Sequence, residues 1–402
     1  MQADQPTVLE ALAVAVAARV PVLLWGGPGT GKSSAVRDLA ATMDWPCEVV
    51  IASIREPSDF AGLPVVVDGT VRFAPPRWAQ RLTSAGHGLL FLDEISTAPP
   101  AVQAALLRVV LERVVGDLEL PAAVAVVAAA NPPEQASDGW DLSAPLANRF
   151  CHIEWNADAA GFAQGITGGW SKTVVPRLES GWQQRQSLTR GLVAAFVTTR
   201  PSLLSEPPRD PAAAGRAWPS PRTWEMAACL LAAADESGAS ELTRAILVAG
   251  AVGDGAGIEF LHWVSDMDLG DPEAALRDPA AFVLPERGDR AYAALSAVAA
   301  AVAANPTAER WVAGWKVLAK AGGEAADVAA MAARVLARCR PAGATPPPEI
   351  KIFAPLLKEA GLLWAASISG SWRLPGSGVR PGSRIWPRRC SRRGSSPSSS
   401  QA

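Results

Sequence analysis

Gly26-Gly27-Pro28-Gly29-Thr30-Gly31-Lys32-Ser33 is the stretch of this chain whose residue types and spacing bear most directly on chemistry. Its glycines let consecutive backbone N–H groups turn inward on a phosphate, Lys32 reaches the β and γ oxygens, and the Ser33 hydroxyl is placed for Mg2+. Through Ser34 the loop runs into a helical pattern, whose positive N-terminal end strengthens the same anion site. The pattern binds a nucleotide, but hydrolysis also needs a second metal ligand and a group that orients water. Leu89-Leu90-Phe91-Leu92-Asp93-Glu94 offers both. Four apolar residues bury a strand and deliver Asp93 to its end, where it can hold the metal, while Glu94 polarises the attacking water. The plainer reading is that the two acids cap the following helix.

These groups require a particular scaffold. Apolar runs at Val20 to Trp25, Cys47 to Ser53, Gly88 to Leu92, Val124 to Ala129 and Arg149 to Trp155 read as five strands. Helical patterns fall at Thr7 to Ala18, Lys32 to Thr42 and Pro100 to Leu111. Continuously apolar strands separated by helices indicate a parallel sheet covered on both faces, with the loop at the carboxyl end of its first strand. Asp68-Gly69 between two β-prone runs marks a hairpin over Pro64 to Phe73, and Gly116-Asp117 marks a second over Arg113 to Leu120. From Asp158 to Arg216 glycine, tryptophan and proline interrupt the periodicity, after which helical patterns resume at Pro221 to Val264 and at Pro272 to Arg340.

With Ala130-Asn131-Pro132, Leu146-Ala147-Asn148-Arg149-Phe150 and Ser220-Pro221-Arg222 added in the same order, the chain resembles the AAA+ ATPases, and within them the MoxR-like group of the helix-2-insert class. The likeness covers about residues 6 to 230, and the two hairpins sit where that class carries its insert and its pre-sensor hairpin. It implies a P-loop α/β core over residues 1–157, a linker and α-helical lid over 158–264 and a helical C-terminal region over 265–364. It implies ATP and Mg2+ as ligands. Asn131 would be the polar sensor facing the nucleophilic water or the γ-phosphate, against the alternative of an asparagine turn before Pro132. Arg149 would be a finger reaching into a neighbour's nucleotide, and Arg222 a second sensor contacting the γ-phosphate from the lid helix. Each arginine has a plainer reading, the first as a surface residue opening a strand and the second as a helix start after proline. The implied assembly is a homo-oligomeric ring, a hexamer, that works on a protein client, in this family often one with a von Willebrand factor A domain. A McrB-like nucleic-acid motor and a chelatase subunit share the insert and remain alternatives.

Composition narrows the choice. The 402 residues are 49% hydrophobic and 19% charged, in the range of a globular protein with room for two or three domains. Leu9 to Val22 is broken by Glu10, Arg19 and Pro21, which argues against export or membrane insertion and for the cytoplasm. Five scattered cysteines and three histidines form no ligand spacing, pointing to reduced thiols and no structural metal. The formal charge is −2, yet seven arginines and no acid occupy the last 37 residues, so the rest of the chain is more acidic still. That balance disfavours a nucleic-acid surface. The segment 365–402, rich in Ser, Gly, Pro and Arg, reads as a disordered tail. The fifteen tryptophans read as packing residues, and His87 and His152 as loop and strand residues rather than catalysts.

Overall fold

The computed structural model describes residues 4–132, 141–170, 173–178, 182–267, 270–322 and 326–362. The tail read as disordered lies outside them. Among the described residues nine strands form: β1 (Val22–Trp25), β2 (Cys47–Ile51), β3 (Leu63–Val67), β4 (Thr70–Ala74), β5 (His87–Asp93), β6 (Val114–Val115), β7 (Leu118–Glu119), β8 (Ala123–Ala130) and β9 (Cys151–Glu154). Five of them build one parallel sheet in the order β2-β5-β8-β1-β9. β1 therefore lies between two strands that follow it much later in the chain, and the crevice at its carboxyl end is the switch point where open α/β sheets bind ligands. The architecture is that of a P-loop NTPase.

The inner strands β1 and β8 are apolar throughout because both faces are covered. Val22 and Leu24 of β1 face a core shared with α1 (Gln5–Ala17) and α2 (Lys32–Thr42), whereas Leu23 and Trp25 face a second core. That second core includes Phe60 of α3 (Ser58–Ala61), Trp78 and Leu82 of α4 (Arg77–Ala85), and Leu106 of α5 (Pro100–Glu112). α4 was not anticipated from the sequence. It is nine residues long, starts after Pro75-Pro76 and stops at Gly86, and only Trp78 and Leu82 give it an i, i+4 apolar pair.

Both expected hairpins form, the first with residues 68 and 69 at φ 50° and 75°, the mirror-image turn that suits strand twist. The two hairpins are joined: Phe73 N–H donates to Asp117 Oδ2 at 2.8 Å and Asp117 N–H donates to Phe73 O at 3.0 Å. The first hairpin is exposed and apolar, Val66 being 74% exposed and Val71 62%.

Between the sheet and the C-terminal helices the chain is more helical than the sequence suggests. α6 (Ala144–Ala147) precedes β9, and α7 (Ala159–Gly168), α8 (Trp182–Thr199) and α9 (Pro211–Ala214) follow it. α8 was hidden because it is buried on two sides. Val193, Ala195 and Phe196 enter the first core, while Leu188 packs on a third, so no single apolar stripe appears in its sequence. α10 (Pro221–Ser237), α11 (Glu241–Val252) and α12 (Asp254–Met267) share the first core with α1. Glu10 of α1 accepts hydrogen bonds from the Ser240 and Thr243 hydroxyls at the start of α11. α13 (Pro272–Arg277), α14 (Gly288–Ala304), α15 (Ala308–Leu318), α16 (Ala326–Arg338) and α17 (Ala354–Glu359) enclose the third core around Trp311, Trp315 and Phe353. Among the described residues no helix is long and apolar enough to cross a membrane.

Candidate nucleotide site

Three strand ends converge on the loop that follows β1. Gly26 N–H donates to Ala130 O at the end of β8, so the loop enters in register with the sheet. Gly29 and Gly31 then take φ of 74° and 91°, a conformation that side chains resist. The Gly31 cap of α2 offers no side chain to the first helical N–H groups, which leaves them to an anion. Gly27 is half-buried, while Pro28, Gly29 and Ser34 are exposed around the cradle.

Lys32 is buried and its ammonium donates to Gly26 O at 2.5 Å, Gly27 O at 2.8 Å and Asn131 Oδ1 at 3.2 Å. Burial lowers its pKa from the usual lysine value, and the Asp93 carboxylate works against that shift. Ser33 Oγ, in the first turn of α2, donates to Asp93 Oδ2 at the end of β5 at 2.8 Å. Sequence positions 32, 33, 93 and 131 thus meet as two adjoining hydrogen-bonded pairs, Lys32 with Asn131 and Ser33 with Asp93. Among the described residues no cluster of three or more His, Cys, Asp or Glu could hold a metal. One hydroxyl and one carboxylate nonetheless suit Mg2+, which keeps several waters and takes its other ligands from phosphate.

Glu94 sits beside that group in the left-handed region at φ 56°, a costly conformation for a residue with Cβ. Its N–H donates to Asp93 Oδ1 at 3.0 Å, and its carboxylate accepts from the Ser53 hydroxyl just past β2. Ser96 fixes Asn131 by accepting from its N–H at 3.3 Å.

Arg149 and Arg222 form a separate group. Ser220 Oγ donates to Asn148 Oδ1 at 2.8 Å, Arg222 reaches the same oxygen at 3.5 Å, and Asn148 Nδ2 donates to Trp218 O at 3.3 Å. Arg149 donates to Pro145 O. Burial, and then the nearby Arg222 cation, lower the Arg149 pKa. The Nε of each arginine is buried with no hydrogen-bond partner among the described residues.

Residues 21–150 match the family AAA domain (dynein-related subfamily). This segment is similar to an AAA domain. It contains the phosphate loop, Asp93, Glu94, Asn131 and Arg149, while Arg222 lies beyond it. No curated protein matches the chain. Among solved structures, the chain is similar to an inferred ATPase from Cytophaga hutchinsonii ATCC 33406, at 18% identity and a TM-score of 0.40, over 62% of this chain and 81% of that one. It is also similar to a full-length MCM homolog from Methanopyrus kandleri, at 17% identity and a TM-score of 0.37, over 63% of this chain and 54% of that one.

Several residues around the site were not singled out from the sequence. Ser53 holds Glu94, Ser96 holds Asn131, and Asn148 joins the two arginines' surroundings. Asn148 lies inside the Leu-Ala-Asn-Arg-Phe motif, so a signal for it existed; Ser53 and Ser96 depend on strands meeting in space. His152 lies in β9, a strand residue as read, and is buried. Its Nδ1 accepts from the Trp25 indole at 2.8 Å and its Nε2 bonds to Ala147 O at 2.9 Å, which fixes a neutral ring. Burial pushes its pKa down to about 4.

Proposed function

We propose that this chain is a MoxR-like AAA+ ATPase that hydrolyses ATP with Mg2+ at the interfaces of a ring, a hexamer, and uses the cycle to remodel or activate a partner protein. The observation that carries the reading is the separation of the site into two groups. Lys32, Ser33, Asp93 and Asn131 form a phosphate half with Glu94 at its edge. Arg149 and Arg222 form a cationic half whose mutual repulsion favours an anion brought by another subunit.

Lys32 would leave its carbonyl partners for the γ-phosphate, where its ammonium meets phosphate oxygens in place of Gly26 O and Gly27 O. Mg2+ held by Ser33 and Asp93 would neutralise charge on the β and γ oxygens. Release of Glu94 from Ser53 would free its carboxylate to polarise water, with Asn131 orienting that water. Arg149, and Arg222 beside it, would stabilise the transferring phosphoryl group of the adjacent protomer. The exposed hairpin carries Asp68 and Arg72 as its charged residues among many apolar ones, which suits a protein client, such as one with a von Willebrand factor A domain, better than a phosphate backbone.

The test is ATP turnover by purified protein against Glu94→Gln, with and without single-stranded and duplex DNA. The reading expects turnover by wild type, binding without turnover by the variant at a loss of about 100-fold or more, and no response to DNA. Unchanged turnover in Glu94→Gln would remove the assigned mechanism, and strong DNA stimulation would replace the protein client with a nucleic acid.

A further inference from the structure

A phosphate loop that turns its N–H groups inward sends its carbonyls outward, and each of those needs a donor. Gly26 O and Gly27 O take the Lys32 ammonium, and Gly27 O also takes the Thr30 hydroxyl. The carbonyl of Thr30 itself, at the apex, accepts from the indole Nε1 of Trp155 at 3.0 Å. Trp155 follows β9 directly and continues the ladder with β1, donating its backbone N–H to Trp25 O at 2.6 Å. Its carbonyl oxygen lies 2.2 Å from where a Cβ on Gly26 would stand, so the loop's first glycine is pressed against it. Trp155 is 1% exposed. One residue thus grips the loop at its entry and at its apex.

We propose that Trp155 is the positioning residue of the phosphate loop: by holding the Thr30 carbonyl outward it keeps the loop's amides aimed at phosphate. The inference rests on ATP being the ligand of that loop. Without the indole N–H, the Thr30 carbonyl must find water or turn toward the cradle, and the loop loses the shape that binds an anion. Glu94 and Asn131 act on water and are held by Ser53 and Ser96, not by Trp155. The effect should therefore fall on binding rather than on the chemical step.

Trp155→Phe keeps a ring and removes the donor. A matched control exists, because Trp311 is also fully buried and donates its indole N–H to a backbone carbonyl, Leu336 O at 2.7 Å, within the C-terminal helices. Both variants should melt below wild type. Trp155→Phe should raise KM and the calorimetric Kd for ATP about fivefold to tenfold, with kcat within about twofold, and lose part of the ATP-induced change in tryptophan fluorescence. Trp311→Phe should leave KM, Kd and that fluorescence change as in wild type. Equal KM shifts in both variants, or a Trp155→Phe protein that differs only in melting temperature, would overturn the proposal. A wild type that binds ATP without turnover would end the hydrolysis reading, yet the Kd comparison would still decide the role of Trp155.

Discussion

The phosphate half of the site and the arginine half differ in how well one chain satisfies them. Lys32, Ser33, Asp93 and Asn131 are paired with one another, and Lys32 also with the loop's carbonyls, whereas Arg149 and Arg222 retain buried Nε–H groups without partners among the described residues. A buried donor without an acceptor costs on the order of 1–3 kcal/mol, more beside a like charge. The first half is preorganised within the fold. The second sets two cations near one another, a repulsion that an anion from outside the chain would relieve.

The contrast can be broken from either side. Arg149→Ala should lower kcat by about 1,000-fold while ATP affinity, measured by calorimetry, stays near wild type; a large loss of affinity instead would place Arg149 in its own chain's phosphate half. Arg222→Ala should behave in the same way with a smaller loss, about 100-fold, since Asn148 already occupies one of its N–H groups. If Arg222 acted on its own chain's nucleotide, its substitution would weaken binding as well as turnover.

A smaller effect concerns the floor beneath the site. His152 is neutral in the fold with a pKa of about 4 against an ordinary 6.5, so the unfolded chain takes up a proton that the folded chain refuses. Its contribution is complete above pH 6.5 and is lost as pH falls toward 4, by on the order of 3 kcal/mol over that window. Glu154 and Asp235, whose carboxyls burial raises, offset part of that loss, because they gain stability as pH falls. Denaturant melts between pH 6.5 and 4 should show a slope reduced by about one proton in His152→Gln relative to wild type; equal slopes would contradict the buried neutral ring.

The sheet and the loop were legible because their signals are local. Continuous apolar runs, a glycine-rich loop before a helix, and acids at a strand end each lie within about ten residues, and the two-residue turn at Asp68-Gly69 has one dominant physical reading. The strand ends shifted by a residue or two, as where Arg19 turns left-handed and β1 begins at Val22 instead of Val20. What stayed hidden depends on the closed fold. α8 divides its apolar residues between two cores, Ser53 meets Glu94 from another strand, and Trp155 lies 125 residues from the carbonyl it serves. No window of sequence contains those pairs, so composition could present Trp155 only as one more packing tryptophan.

The most direct test of the two-half site is to mix two inactive proteins. Glu94→Gln retains Arg149, and Arg149→Ala retains Glu94, so a ring assembled from both contains interfaces at which an intact phosphate half faces an intact arginine. An equal mixture should recover about a quarter of wild-type turnover, the statistical share of such interfaces in a head-to-tail ring. A mixture that forms rings by light scattering and remains as inactive as either parent would contradict the account, because both halves would then have to belong to one chain.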